Sequence, residues 1–101
     1  MSVLGRYRQQ PRENLKRIID YKAWLESSEE IEGVTAEVTP VTDTPLVVDP
    51  ILIDSGGKKF AYWTSGGEDG ITYTIEFSVT TQTQTREDEV EIEVEEVNNN
   101  G

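Results

Sequence analysis

The 101-residue sequence predicts an all-β domain built as a sandwich of two sheets. Two observations carry that expectation. Apolar residues alternate with polar ones along 34–39, 72–79 and 89–95, the period of a strand with one buried face. Glycine and proline clusters cut the chain into short pieces. Only 35% of the residues are hydrophobic, so the core is expected to be thin, with some apolar surface left for a partner to complete.

In chain order, residues 1–15 carry Gly5, Gln9, Gln10 and Pro11 without a sustained apolar period, and are expected as an extended basic arm outside the core. A frayed terminus is the plainer alternative. A body domain over 16–97 follows. Lys16–Tyr21 is read as a first strand, although Leu15, Ile18, Ile19 and Lys22 also fit helical spacing. Trp24 and Leu25 are expected to plug one end of the core. Val34, Ala36 and Val38 form a strand with which Ile31 is out of phase, so a bulge is expected near Glu32–Gly33. Pro40, Pro45 and Pro50 exclude helix and favour edge strands or extended connections, with Leu46–Val48 and Ile51–Ile53 as short apolar pieces. Gly56–Gly57 is a turn, and Lys58–Thr64 a strand rich in aromatics. Gly66, Gly67 and Gly70 permit tight or positive-φ geometry in a second turn. Tyr73, Ile75, Phe77 and Val79 mark the best strand in the sequence. Thr80–Thr85 turns the chain, Val90, Ile92 and Val94 mark a last long strand, and residues 98–101 form a disordered tail. Six or seven strands of this kind suit an immunoglobulin-like β-sandwich.

The formal net charge of -11 would be repelled by a phosphate backbone, so nucleic acid is an unexpected partner. No apolar run approaches the roughly 18 residues of a membrane span, and the first residues lack the apolar region of a secretory signal. The sequence has no cysteine and no histidine, which removes disulfides, thiolate metal sites and the commonest general base. Nothing in the remaining pattern gathers a nucleophile with a base, so an enzyme is not expected, nor a cofactor. The glycine turn lacks a GxxxxGK[ST] pattern and precedes a strand, which argues against phosphate binding.

The charge is unevenly spread. Arg6, Arg8, Arg12, Lys16 and Arg17 are five of the nine basic residues, all within the first seventeen positions. Glu89, Glu91, Glu93 and Glu95 lie on one face of the last strand. With Glu87 and Asp88 they could meet Ca²⁺, but no D-x-D-x-D-G loop is present and a flat strand does not wrap an ion. A solvated face that discourages edge pairing, or a surface for a basic partner, fits better. The basic arm of another copy is one such partner. These nine residues are the candidate partner-binding set.

Two segments together resemble a known family. Asp20-Tyr-Lys-Ala-Trp24-Leu25, then Glu29-Glu30-Ile31, is followed by Tyr62-Trp63-Thr-Ser65-Gly66-Gly67-Glu-Asp-Gly70-Ile-Thr-Tyr73. The chain then runs through Val79-Thr80-Thr81 and Arg86 into the alternating end. This is similar to the fiber-tail adaptor proteins of tailed bacteriophages, over about Asp20 to Val97. The resemblance implies a virion structural protein, assembled in the host cytoplasm. It would join fibers or decoration to the tail or head-tail junction and contact other virion proteins, with copies of itself in a ring or array. A capsid decoration protein, or a carbohydrate-binding module with aromatics exposed in a row, are the alternatives. Asp69-Gly70-Ile-Thr-Tyr73 looks like the tyrosine corner of immunoglobulin-like sandwiches, with Tyr73 pinning upstream backbone. Trp24 and Trp63 are expected as core plugs.

Overall fold

The computed structural model describes residues 2–96, and these form seven strands and no helix. The strands are β1 (Ser2–Gln9), β2 (Asn14–Asp20), β3 (Ile31–Thr39), β4 (Leu46–Ile53), β5 (Lys59–Gly66), β6 (Thr72–Thr81) and β7 (Thr85–Val94). They build two sheets, β1-β7-β6-β3 and β2-β5-β4, packed face to face. The all-β sandwich expected from the alternation is the fold observed. Val97 and the tail expected at 98–101 lie outside the described residues.

Alternation explains which sheet face is buried. On β6, Tyr73, Ile75, Phe77 and Val79 are fully buried, and on β7 Val90, Ile92 and Val94 match them. From the other sheet Phe60 and Tyr62 of β5 meet Phe77, with ring centroids 5.3 and 4.8 Å away. Each such aromatic removes a large apolar surface from water and adds tilted ring contacts. Burial pushes the Tyr62 hydroxyl up to about 12.

The strand read at Lys16–Tyr21 is β2, and the helical alternative is not adopted. The bulge expected at Glu32–Gly33 appears as a register shift between Ile31 and Gly33 in the β3–β6 ladder. The two apolar pieces around Pro50 are one edge strand, β4, whose register with β5 shifts between Val48 and Ile51. Proline has no N–H to donate, so the ladder breaks there and resumes.

The N-terminal segment differs from expectation. Residues 2–9 do not stand off the body as an arm; they form β1, laid parallel on β7 at the edge of the larger sheet. Main-chain pairing, which needs no apolar period, holds them there. The last residue, Gln9, is buried. Its side-chain amide donates to the Thr64 carbonyl at 2.7 Å and the Glu13 carbonyl at 3.0 Å. Gln9 is thus the hinge at which the chain crosses between sheets.

The β5–β6 turn is closed around Tyr73. Gly66 and Gly67 both adopt positive φ, and a Cβ on Gly67 would stand 2.8 Å from Val94 Cγ2 and 3.1 Å from the Tyr73 ring. The Tyr73 hydroxyl accepts from the Glu68 amide at 2.9 Å, lies 2.7 Å from Thr42 Oγ1 and reaches the Thr44 carbonyl at 3.3 Å. One buried hydroxyl therefore ties the turn to the β3–β4 loop. Tyr73→Phe would strand the Glu68 amide and should cost about 1–3 kcal/mol in urea unfolding, with the fold retained. An unchanged midpoint would show that the ring alone holds the turn.

Candidate functional site

The outward faces of the two sheets have opposite chemistry. On the larger sheet, Glu37 of β3, Glu76 of β6 and Glu89 of β7 stand directly opposite one another. Like charges in register repel, so this row is a cost to the fold that a polar face absorbs only in water or against cations. The next outward rows are compensated by β1. Arg6 Nε donates to Glu91 at 2.9 Å, and Arg8 Nε donates to Glu93 at 3.1 Å with Glu95 at 3.5 Å. Glu93's hydrogen bond, then the charges of Glu95 and Glu93, hold the Arg8 guanidinium above its usual value. Arg12 reaches Glu96 at 3.4 Å.

The nine candidate contact residues therefore divide. Arg6, Arg8 and Arg12 meet glutamates of their own chain, which brings the two predicted surfaces together within one molecule. Arg17 is not on a basic surface: it points inward from β2 and donates to Thr64 Oγ1 at 2.8 Å and Gln9 Oε1 at 3.2 Å. Its guanidinium also lies 4.5 Å from the Tyr7 ring centroid. Strand phase decides this, because Leu15, Arg17 and Ile19 share the core-facing side. Lys16 takes the other phase and faces out from the smaller sheet. Glu89 has no cationic partner among the described residues.

That outward face of the smaller sheet is apolar at its centre. Ile18, Ala61 and Leu52 align across β2, β5 and β4, and Ile18 and Leu52 are each 54% exposed. Trp63 lies beside them with Lys16 Nζ 5.4 Å from its ring centroid. Trp63 is not the core plug expected from the sequence. Phe60, Tyr62 and Thr64 take the inward phase of β5, which leaves Trp63 half-buried on the outside with Lys59 and Ala61. The face forms an open cleft of about 390 Å³ that runs from Lys16 to Asp54. Neither Lys16 nor Lys59 forms an ion pair among the described residues. Outer faces of sandwiches are ordinarily polar, so an apolar row flanked by unpaired lysines is a candidate contact surface.

Trp24 does pack against the core, at the far end. It lies 5.4 Å from the Arg86 guanidinium and edge-on to the Tyr21 ring, which is itself 5.9 Å from the same cation. Tyr62 is inside, so Trp24, Tyr62 and Trp63 make no exposed aromatic row. Arg86 donates to Asp88 Oδ2 at 2.9 Å and the Tyr21 hydroxyl donates to the same atom at 2.7 Å. Asp88 shares the inward phase of Val90 and Ile92 and is buried, so it belongs to the interior and not to the acidic face. Burial, helped by Asp88, raises the Tyr21 pKa.

A second buried carboxylate went unmarked in the sequence. Glu29 accepts from Thr81 Oγ1 at 2.6 Å, Thr83 Oγ1 at 2.7 Å and Gln84 Nε2 at 3.0 Å. The polar β6–β7 turn is thereby folded around one anion. The three residues' spacing in Thr81-Gln-Thr83-Gln84 was visible, but not the distant acid they serve.

The family model for the podophage GP4 fiber-tail adaptor protein gp77 matches residues 9–95. The chain belongs to this family. No curated protein and no solved structure matches it. The match begins at Gln9, so the rest of β1 precedes it, and both outward faces fall within it except for the β1 arginines.

Hydrogen bonds from Thr81, then Thr83, hold the Glu29 carboxylate at about 2, below its ordinary 4.5. A lowered folded-state pKa stabilises above the unfolded value and loses that contribution as pH falls toward the folded value. Glu29→Gln should therefore melt at a lower temperature than the parent at pH 7. The gap between the two should narrow as pH falls from about 4.5 to about 2. Equal melting curves at pH 7 would show that the anion adds nothing.

Proposed function

We propose that this chain is a non-enzymatic virion component that joins fibers to the phage tail. The observation that carries the reading is the family match across residues 9–95, nearly the whole sandwich. The two faces support it. A connector must bind two unlike surfaces, and this molecule presents a glutamate-rich face and an apolar, lysine-flanked face on opposite sheets. The apolar face, with Ile18, Leu52 and Trp63 at its centre, suits a permanent contact buried on assembly. The glutamate row suits a basic surface.

An immunoglobulin-like architecture is part of the proposal. In support, β2-β5-β4 faces β7-β6-β3, the order of strands B-E-D and G-F-C in such domains. Tyr73 near the start of β6 bonds back to the Glu68 amide, as a tyrosine corner does. Several copies arranged about the tail, after assembly in the host cytoplasm, complete the reading.

Particles made without this chain should carry tails and lack fibers. Particles made with Ile18→Glu/Leu52→Glu should lack fibers too, while the purified variant keeps its stability to within about 0.5 kcal/mol, since both sites are on the surface. Negative-stain microscopy with a fiber-protein immunoblot reads both. Fibers retained on particles without the chain would overturn the adaptor role. Retained fibers with Ile18→Glu/Leu52→Glu alone would move the contact off this face.

A further inference from the structure

Residues 3–8 place no buried side chain in the interior of the sandwich. Val3, Leu4 and Tyr7 each remain 41% exposed, Arg6 and Arg8 are exposed, and Gln9 alone of the described β1 side chains is buried. The register with β7 is broken between Val3 and Gly5. The ion pairs that hold the segment are exposed, and such pairs contribute little in salt. Gln9 is different. It is bonded to Thr64 and Arg17 of the smaller sheet, and its carbonyl accepts from the Glu95 amide at 3.0 Å. Release of residues 2–8 would leave the core and the Gln9 network intact, and would expose the main-chain edge of β7.

That edge selects what can replace them. Its outward side chains Glu87, Glu89, Glu91 and Glu93 repel an acidic strand, and the chain is acidic almost throughout. A strand that fits needs two cations two residues apart, to meet Glu91 and Glu93 together. Arg6 and Arg8 are the only Lys or Arg residues in this sequence with that spacing. The Tyr7 ring between them also fills the place over Arg17.

We infer that residues 2–8 exchange between copies, with β1 of one molecule lying in the same parallel register on β7 of a second. Gln9 is the pivot and stays in its own chain. Each contact of residues 2–8 with β7 and with Arg17 is re-formed in the exchanged pair, so the exchange has little intrinsic cost. Concentration decides it. In isolation the segment folds back on its own β7, and among closely held copies a neighbour's edge competes at high effective concentration. Exchange deepens the reading of several copies about one tail and rests on it only for where it would occur. The contact itself is a property of two chains in solution.

The chain has no cysteine, so a register-specific cross-link tests this directly. Val3 pairs with Glu89 and both lie outside the two arginine pairs. Full-length Val3→Cys and Glu89→Cys variants, mixed at increasing concentration and oxidised, should give a heterodimer on non-reducing gels. Its yield should rise with concentration. It should exceed several-fold that of Val3→Cys mixed with Glu93→Cys, whose register is wrong. Adding Arg6→Glu/Arg8→Glu to the first partner should lower the yield several-fold. The Val3→Cys/Glu89→Cys double variant, when dilute, should close within one chain and so verify the fold and register. A closed double variant whose single-site partners cross-link no better than the mismatched pair would overturn exchange. So would a double variant that does not close. Either failure leaves the fiber-loss test of the adaptor role untouched.

Discussion

The structure depends on one layer of apolar side chains trapped between two sheets. A chain with so few hydrophobic residues can fill only one such layer, and strict alternation delivers them to it. Tyr73, Ile75, Phe77 and Val79 on β6, with Val90, Ile92 and Val94 on β7, form one wall, and Phe60 and Tyr62 the centre of the other. Both walls are set by a period of two, so a one-residue slip would turn either strand inside out. The outer faces then receive what remains. On β3, β6 and β7 of the larger sheet that remainder is glutamate, threonine and serine. On the smaller it is Ile18, Ala61, Leu52 and Trp63, a departure from a polar exterior that supports the reading carried by the family match.

A thin core leaves the ends and corners of the sandwich to be fixed by polar groups. Tyr73 closes one end. Glu29 organises the β6–β7 turn, and Lys58 Nζ binds the carbonyls of Glu26, Ser27 and Glu29 beside it. Asp88 joins Tyr21 and Arg86 under Trp24. Gln9, Thr64 and Arg17 lock the place where the chain passes from one sheet to the other. Buried polar groups are costly unless paired. Each cluster supplies nearly all its partners; among the described buried side-chain atoms only Asp88 Oδ1 lacks one.

Much of this was legible in the sequence, for reasons that also explain the gaps. The strands β3, β6 and β7, the bulge beside Gly33 and the tyrosine near Gly70 all carry local signals: alternation, a phase break, a glycine turn. Residues 2–9 carry none. A strand held by main-chain pairing on a distant partner, in parallel register and half exposed, has no periodicity to show. The side on which Trp63 lies is not legible locally, because Lys58–Thr64 has apolar residues in both phases, and only the opposite sheet selects Phe60 and Tyr62 for the inside. Arg17 and Asp88 are charged residues in an inward phase, where composition suggests surface and parity decides otherwise. The charge asymmetry was visible, and its partner was found within the molecule.

The proposed role in the fiber-tail adaptor family requires one orientation, with the apolar face of β2-β5-β4 turned toward another virion protein. A cryo-electron reconstruction of the intact tail measures this most directly. Density for this chain is expected where fibers meet the tail, with Ile18, Leu52 and Trp63 buried against a different polypeptide. That face open to solvent, or the chain located on the capsid shell, would contradict it.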